Sequence, residues 1–86
     1  NLALNDVMAR TAEMLLQLGR ENGRINLQGY LEITLEFSRQ DLANLVGTTR
    51  ETVTRMLSSL KKDKIIDYDG RKIMILNTDR LKLLIA

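Results

Sequence analysis

The chain has 86 residues, 44% of them hydrophobic and 28% charged, which is typical of one small globular domain covering residues 1–86. It contains no cysteine and no histidine, so the sequence offers no disulfide bond, no thiolate or imidazole metal site and no histidine general base. No apolar run approaches the roughly 20 residues of a membrane span, and no signal-peptide pattern opens the chain, so we predict a cytoplasmic protein.

The formal net charge of +2 is distributed unevenly along the chain. Residues 1–37 carry three arginines and five acids, whereas residues 38–86 carry ten lysines or arginines and six acids. The second half would therefore face an anion, although an excess this small is equally compatible with an ordinary solvated surface.

The first predicted element is an amphipathic helix over residues 4–18. Its apolar positions recur with helical spacing, while polar residues lie opposite. Gly19 and Gly23 are expected to bracket its end, and residues 20–29 to form a surface loop or an irregular hairpin. The apolar stripe consists of Leu4, Val7, Met8, Ala12, Leu15, Leu16 and Leu18.

Residues 31–37 alternate strictly between apolar and polar side chains, the period of a strand with one solvated face. We therefore predict a strand here, with its inner face formed by Leu31, Ile33, Leu35 and Phe37.

A pair of helices is predicted next. Ser38 followed three residues later by Asp41 indicates a capping box, and the helix that it starts should bury Leu42, Leu45 and Val46. Gly47 allows the left-handed backbone that ends this helix and turns the chain into the next, for which Thr48 and Thr49 are both possible caps.

The next helix, residues 49–62, has two chemically different faces. One should pack on the core through Val53, Met56, Leu57 and Leu60, while the other is polar. The polar face carries Arg50, Glu51, Thr54, Arg55 and Ser58.

A hairpin and a short helix complete the chain. A type I′ turn at Asp69-Gly70 would join strands 65–68 and 71–76, with Asp67 opposite Lys72 and Ile66 opposite Ile73. Asn77 or Thr78 then caps a helix whose apolar side chains return to the core, namely Leu81, Leu84 and Ile85.

Two helices joined through a glycine turn and followed by a hairpin predict an α+β winged helix-turn-helix. It would have a three-helix core, a hairpin wing, one extra strand and a short C-terminal helix. A winged helix of this kind places its second helix in the major groove of double-stranded DNA.

The polar face of helix 49–62 carries the chemistry that such a role requires. Arg50 and Arg55 can each form a bidentate fork to guanine, and Glu51 can accept a hydrogen bond from cytosine. Thr54 on the same face would contact a thymine methyl or take no part. The alternative is an exposed helix face on which Glu51 and Arg55 form an i,i+4 salt bridge.

Residues 38–43 and 47–57, with Arg-Glu-Thr-Val-Thr-Arg at positions 50–55, resemble the DNA-binding domain of the Crp/Fnr family of bacterial transcription regulators. The wing at 66–73 is similar too. So is the start of the chain, residues 1–7, which resembles the place where the family's inter-domain helix joins its C-terminal domain. The likeness thus extends over nearly the whole chain.

The resemblance implies that Arg50, Glu51 and Arg55 contact bases of a half-site similar to TGTGA. Thr54 departs from the glycine of one branch of the family and is similar to the serine of the Fnr branch, which leaves the adjacent base pair open. The resemblance further implies phosphate contacts, for which hydroxyls, amides, cations and helix N-termini are suited, from Ser38, Arg39, Gln40, Thr49, Thr52, Gly70 and Arg71.

The resemblance also implies partners. It implies an RNA polymerase contact through loop 20–29, which is equally well a plain connector, and a homodimer in the full-length protein. The isolated domain is expected to be monomeric. An effector-binding domain would precede Asn1, so we expect no cofactor in this chain, and the sequence assigns no effector. A winged helix used for protein docking is the main alternative, and an enzyme is a distant third.

Overall fold

The computed structural model describes the backbone of residues 2–85 and the side chains of residues 6–85. Within this range the order is helix, hairpin, two helices, hairpin, helix, and all strands join one antiparallel sheet in the order β1-β2-β4-β3. No helix of the described range is long and apolar enough to span a membrane. The elements are α1 (Leu2–Asn22), β1 (Arg24–Ile25), β2 (Leu31–Thr34), α2 (Arg39–Val46), α3 (Arg50–Lys62), β3 (Ile66–Asp69), β4 (Lys72–Ile75) and α4 (Thr78–Leu83).

This arrangement is the predicted α+β winged helix-turn-helix. Its single core lies between the helices and one face of the sheet, and it is made almost wholly of aliphatic side chains. Thr11 is the one buried polar side chain of the described range, and its hydroxyl donates to the Val7 carbonyl at 2.8 Å. The largest fully buried apolar side chains are Leu15, Ile33, Leu42, Leu57, Leu60, Ile66, Ile73, Leu81 and Val53.

Helix α1 ends at Asn22, between Gly19 and Gly23 as predicted, but it extends into the predicted loop 20–29. Gly19 lies inside the helix, where a Cβ would stand 2.8 Å from Leu31 Cδ2, so the glycine permits close packing of α1 on β2 and does not end the helix. The predicted loop 20–29 contains the last turn of α1, β1 and a tight turn. Asn26 organises that turn, since its Oδ1 accepts from the backbone amides of Gln28 and Tyr30. Strand β1 and this turn form a hairpin together with β2.

Strand β2 is shorter than the alternating pattern predicted. It ends at Thr34, which pairs with Lys72, the first residue of β4, so the ladder ends where its partner turns away. Leu35 remains 2% exposed and its amide donates to the Arg71 carbonyl at 2.8 Å, while Phe37 packs against the core from outside the strand. Alternation thus predicted which side chains are buried but not the end of the pairing.

The local signals of the helix pair are confirmed. Ser38 and Asp41 form the capping box, Gly47 has φ 88°, and Thr49 caps α3 by accepting from the Thr52 amide. The buried stripe of α2 was predicted wrongly at one position, because Leu45 is 53% exposed. At 100° per residue, Leu45 lies roughly 100° from the centre of the face formed by Leu42, Ala43 and Val46, so Ala43 is buried in its place.

Two further core predictions are corrected in part. Met56 is only half-buried and does not belong to the core, which α3 enters through Val53, Leu57 and Leu60. Leu81 of α4 is fully buried and Leu84, the C-cap of that helix, packs against the core, but Ile85, one residue further on, is 38% exposed. Leu4 lies outside the described side chains.

The predicted register of the wing was wrong by one residue at the turn. Asp69 pairs with Lys72, so Gly70 and Arg71 are the turn residues, and only Gly70 has a positive φ, as in a type II′ turn. The observed register pairs Ile66 with Ile75 and Tyr68 with Ile73. On the face that packs on the core it forms two apolar pairs, whereas the predicted register formed one there, and burial of that face selects it.

Lys64 adopts the left-handed conformation, with φ 59°, immediately after α3. The amide of Ile65 returns to the Leu60 carbonyl at 3.0 Å, which is the Schellman ending usually made by glycine. We expect Lys64→Gly to raise the free energy of unfolding by about 0.5 to 1 kcal/mol in urea denaturation. Lys62→Gly, within the last turn of α3, is the control and should lower it. Equal effects of the two variants would contradict the assignment.

Candidate nucleic-acid interface

Helix α3 presents the predicted base-reading residues together. Arg50, Glu51, Thr54 and Arg55 are all exposed, while the opposite face of the helix is buried. The helix is therefore held by its apolar side and free on its polar side. This is the division that a helix entering a groove requires.

The predicted alternative for this face, a Glu51–Arg55 salt bridge, does not form. The described side chains form two ion pairs, Arg10–Asp6 and Lys61–Asp67. Neither pair includes Glu51 or Arg55. Arg55 instead donates through Nη2 to the Thr52 hydroxyl, at a long 3.4 Å. The carboxylate of Glu51 is left without a basic partner and the Arg55 guanidinium is almost fully available.

Thr52 connects the N-cap of α3 to Arg55. The Thr49 hydroxyl donates to the Thr52 hydroxyl at 3.0 Å and accepts from the Thr52 amide at 3.2 Å. Both threonines are at the helix N-terminus, where exposed amides and the helix dipole favour an anion. The predicted phosphate residues Thr49 and Thr52 thus lie beside the base-reading residues, and Thr52 accepts one long hydrogen bond from Arg55.

The remaining predicted phosphate residues form a second group, where α2 begins beside the wing. Arg39 Nη2 donates to the Gly70 carbonyl at 2.9 Å, which joins the first residue of α2 to the wing turn. Arg71 follows in that turn and is exposed. Ser38 and Gln40 flank Arg39, with Ser38 engaged in the capping box and the Gln40 amide donating to Asn44 Oδ1 at 3.1 Å.

The sequence did not indicate Lys61 as part of this surface, nor that Lys61 and Arg39 would meet on the Tyr68 ring. The Lys61 ammonium lies 4.4 Å from the centre of the Tyr68 ring, and the Arg39 guanidinium lies 5.4 Å from it. Lys61 also pairs with Asp67 at 3.4 Å. These residues are far apart in the sequence and follow no local spacing, so only the fold brings them together.

A glycine-linked helix pair with an antiparallel wing defines the winged helix-turn-helix class. Residues 9–84 match the family described as the Crp-like helix-turn-helix domain, and the chain belongs to that family. Domains of this family bind DNA in transcription regulators, and dimerisation is typical of those regulators.

The relatives agree with this assignment. The chain is 33% identical over 81 residues to the CRP-like cAMP-activated global transcriptional regulator of Mycobacterium tuberculosis, covering 94% of this chain and 36% of that protein. It is 36% identical over 76 residues to the nitrogen fixation regulation protein FixK of Azorhizobium caulinodans, covering 87% and 31%. These relatives are transcription regulators rather than enzymes, and the chain spans about a third of their length.

Solved structures show the same fold. The CO-dependent transcription factor CooA from Carboxydothermus hydrogenoformans superposes with a TM-score of 0.88 at 29% identity, covering 99% of this chain and 39% of that one. FixK2 from Bradyrhizobium japonicum superposes with a TM-score of 0.83 at 34% identity, covering 93% and 38%.

Proposed function

We propose that the chain binds a specific sequence of double-stranded DNA through α3 and thereby serves transcription regulation. The observation that carries this proposal is the exposed set Arg50, Glu51, Thr54 and Arg55 on the face of α3 opposite its buried residues. Its chemistry suits the major groove, since arginine forks recognise guanine and a carboxylate accepts from cytosine.

The proposed half-site is similar to TGTGA. Arg50, Glu51 and Arg55 read G·C pairs, and Thr54 leaves the neighbouring letter open between a thymine methyl contact and no contact. Phosphates on either side are bound at the start of α3 and where α2 meets the wing. The residues proposed for these phosphate contacts are Ser38, Arg39, Gln40, Thr49, Thr52, Gly70 and Arg71.

The dependence of affinity on salt tests this function against a protein-docking winged helix. Each phosphate contact makes the slope of log K against log salt more negative by about 0.9. Several contacts therefore produce a steep fall in affinity as salt rises. With six contacts, about 10³-fold or more of the affinity is lost between 50 and 200 mM salt. Titration of labelled duplex by fluorescence anisotropy measures the slope. An affinity for DNA that is insensitive to salt, or no affinity, would contradict the proposal.

The full-length protein is proposed to be a homodimer that docks two α3 helices in successive major grooves about 34 Å apart. The isolated chain is proposed to be a monomer in dilute solution, because dimer contacts of the family arise largely from the inter-domain helix. Sedimentation equilibrium of the chain without DNA would refute this by showing a stable dimer. No effector or cofactor is proposed, since the matched region is the helix-turn-helix domain alone.

We further propose that residues 20–29, which include β1 and the turn that follows it, contact RNA polymerase. The observation that favours this over a plain connector is its apolar exposure, because Leu27 is fully exposed and Ile25 is 69% exposed. Isolated apolar side chains are common on surfaces, but two large exposed ones within three residues of the same hairpin favour a docking role. Leu27→Ser is expected to lower promoter activation in a purified transcription assay with DNA affinity unchanged. Full activation by this variant would refute the contact.

A further inference from the structure

Tyr68 lies where the wing meets both helices of the helix-turn-helix. It is half-buried, packs against the core and is paired across the wing with Ile73, which is fully buried. The ring is therefore held in one place by the core beneath it. Such a ring can orient polar side chains that rest on it.

Two cations rest on this ring. The Lys61 ammonium is 4.4 Å and the Arg39 guanidinium 5.4 Å from its centre, both within the roughly 6 Å over which a cation is attracted to an aromatic face. Arg39 comes from the first residue of α2, and Lys61 from the last turn of α3. The ring thus joins the two ends of the helix pair to the wing.

Each cation also binds the wing backbone. Arg39 donates to the Gly70 carbonyl at 2.9 Å, and Lys61 donates to the Tyr68 carbonyl at 3.3 Å. Lys61 additionally pairs with Asp67, which neutralises an acid of the wing. Arg39 is thereby held by two groups, a carbonyl and a ring, and the carbonyl occupies only one of its five N–H donors.

A free arginine side chain loses considerable rotamer entropy when it binds a phosphate. One that is already held loses less, so a fixed Arg39 binds the same phosphate more tightly. We propose that Tyr68 is a positioning residue for DNA binding, whose ring holds the Arg39 guanidinium at the junction of α2 and the wing, ready for the DNA backbone. This inference rests on the proposed function, but it assigns to the wing a role other than touching DNA.

The test uses variants of the whole chain that separate the effect of the Tyr68 ring from the effect of its apolar bulk. Tyr68→Leu removes the ring and keeps apolar bulk, and we expect it to weaken DNA binding about two- to fivefold with unchanged base preference and a shallower salt slope. Tyr68→Phe keeps the ring and should restore the affinity. Tyr30→Leu, at the other tyrosine, is the matched control and should bind as the unaltered chain does.

A double-mutant cycle shows whether the ring acts through Arg39. In an Arg39→Met background, Tyr68→Leu should have no further effect on affinity. If Tyr68→Leu fails to fold by thermal melting, Tyr68→Met replaces it, since methionine also keeps apolar bulk without an aromatic ring and should show the same loss. Equal losses from the Tyr68 variant with and without Arg39, or full affinity of that variant in the otherwise unaltered chain, would overturn the inference.

An NMR measurement separates this inference from the proposed function. In the free chain, the Arg39 δ-methylene protons should be shifted upfield by the Tyr68 ring, retain that shift in Tyr68→Phe and lose it in Tyr68→Leu. An unshifted Arg39 in the unaltered, folded chain would overturn the inference even if DNA is bound. Failure of the chain to bind any DNA would overturn the proposed function while leaving the shift in place.

Discussion

Leu42→Ala is expected to lower the free energy of unfolding by about 2 to 5 kcal/mol, because it leaves a cavity where α2 packs on the core. Leu42 is fully buried, and an 86-residue domain has a single modest core with little stability to lose. Urea denaturation followed by circular dichroism measures the change. The loss should also reduce the folded fraction available to bind DNA at 37 °C.

Leu45→Ala is the matched control, since it makes the same chemical change in the same helix. Leu45 is 53% exposed, and the change there should stay within about 0.5 kcal/mol. Similar losses at the two positions would mean that α2 packs through a broader face than the one formed by Leu42, Ala43 and Val46. A larger loss at Leu45 would contradict the packing of this helix.

Arg55→Ala is expected to weaken binding to the preferred DNA sequence by about 1 to 3 kcal/mol and to relax discrimination at one base pair. Arg55 is exposed on the outer face of α3 and is held only by a long hydrogen bond to Thr52, so its fork is free for a guanine edge. Affinities for duplexes with each of the four base pairs at every half-site position measure the effect.

Arg39→Ala separates base reading from phosphate binding. Arg39 lies at the α2–wing junction, so its loss should weaken binding to all sequences alike and reduce the salt slope by about 1. If Arg55→Ala also weakens all sequences alike, Arg55 is a phosphate contact and the base-reading assignment is wrong.

The elements that could be predicted are those whose signals are local. The capping box of Ser38 and Asp41 and the left-handed Gly47 act within a few residues, and both were found where the sequence placed them. The cap of α3 is Thr49, one of the two candidates that the sequence offered. The two faces of α3 follow from helical spacing in the same way. Helical spacing alone was therefore enough to predict that Arg50, Glu51, Thr54 and Arg55 lie on one face.

The wrong predictions concern features that depend on contacts between residues distant in the sequence. The wing register depends on the burial of Ile66, Ile73 and Ile75 against helices that the local pattern does not specify, so the turn at Asp69-Gly70 was placed one residue too early. Gly19 lies within α1, where the missing Cβ leaves room for Leu31 of the distant strand β2. Glycine at that position resembles a helix end in the sequence alone.

The contacts of Arg39 and Lys61 with Tyr68 were not predicted, again because they join residues that are distant in the sequence. The phosphate residues were placed by the resemblance, but nothing in the local pattern relates Arg39 to Tyr68 or Lys61. Their contacts join the start of α2, the end of α3 and the wing, and they exist only once the sheet order β1-β2-β4-β3 has formed.

Selection of bound duplexes from random DNA by the unaltered chain tests the central claim most directly. If α3 reads base edges through Arg50, Glu51 and Arg55, the selected sequences converge on a G·C-containing half-site similar to TGTGA, with the letter opposite Thr54 determined by the selection. Enrichment of no sequence, or of a motif to which Arg50, Glu51 and Arg55 variants are all indifferent, would contradict the claim.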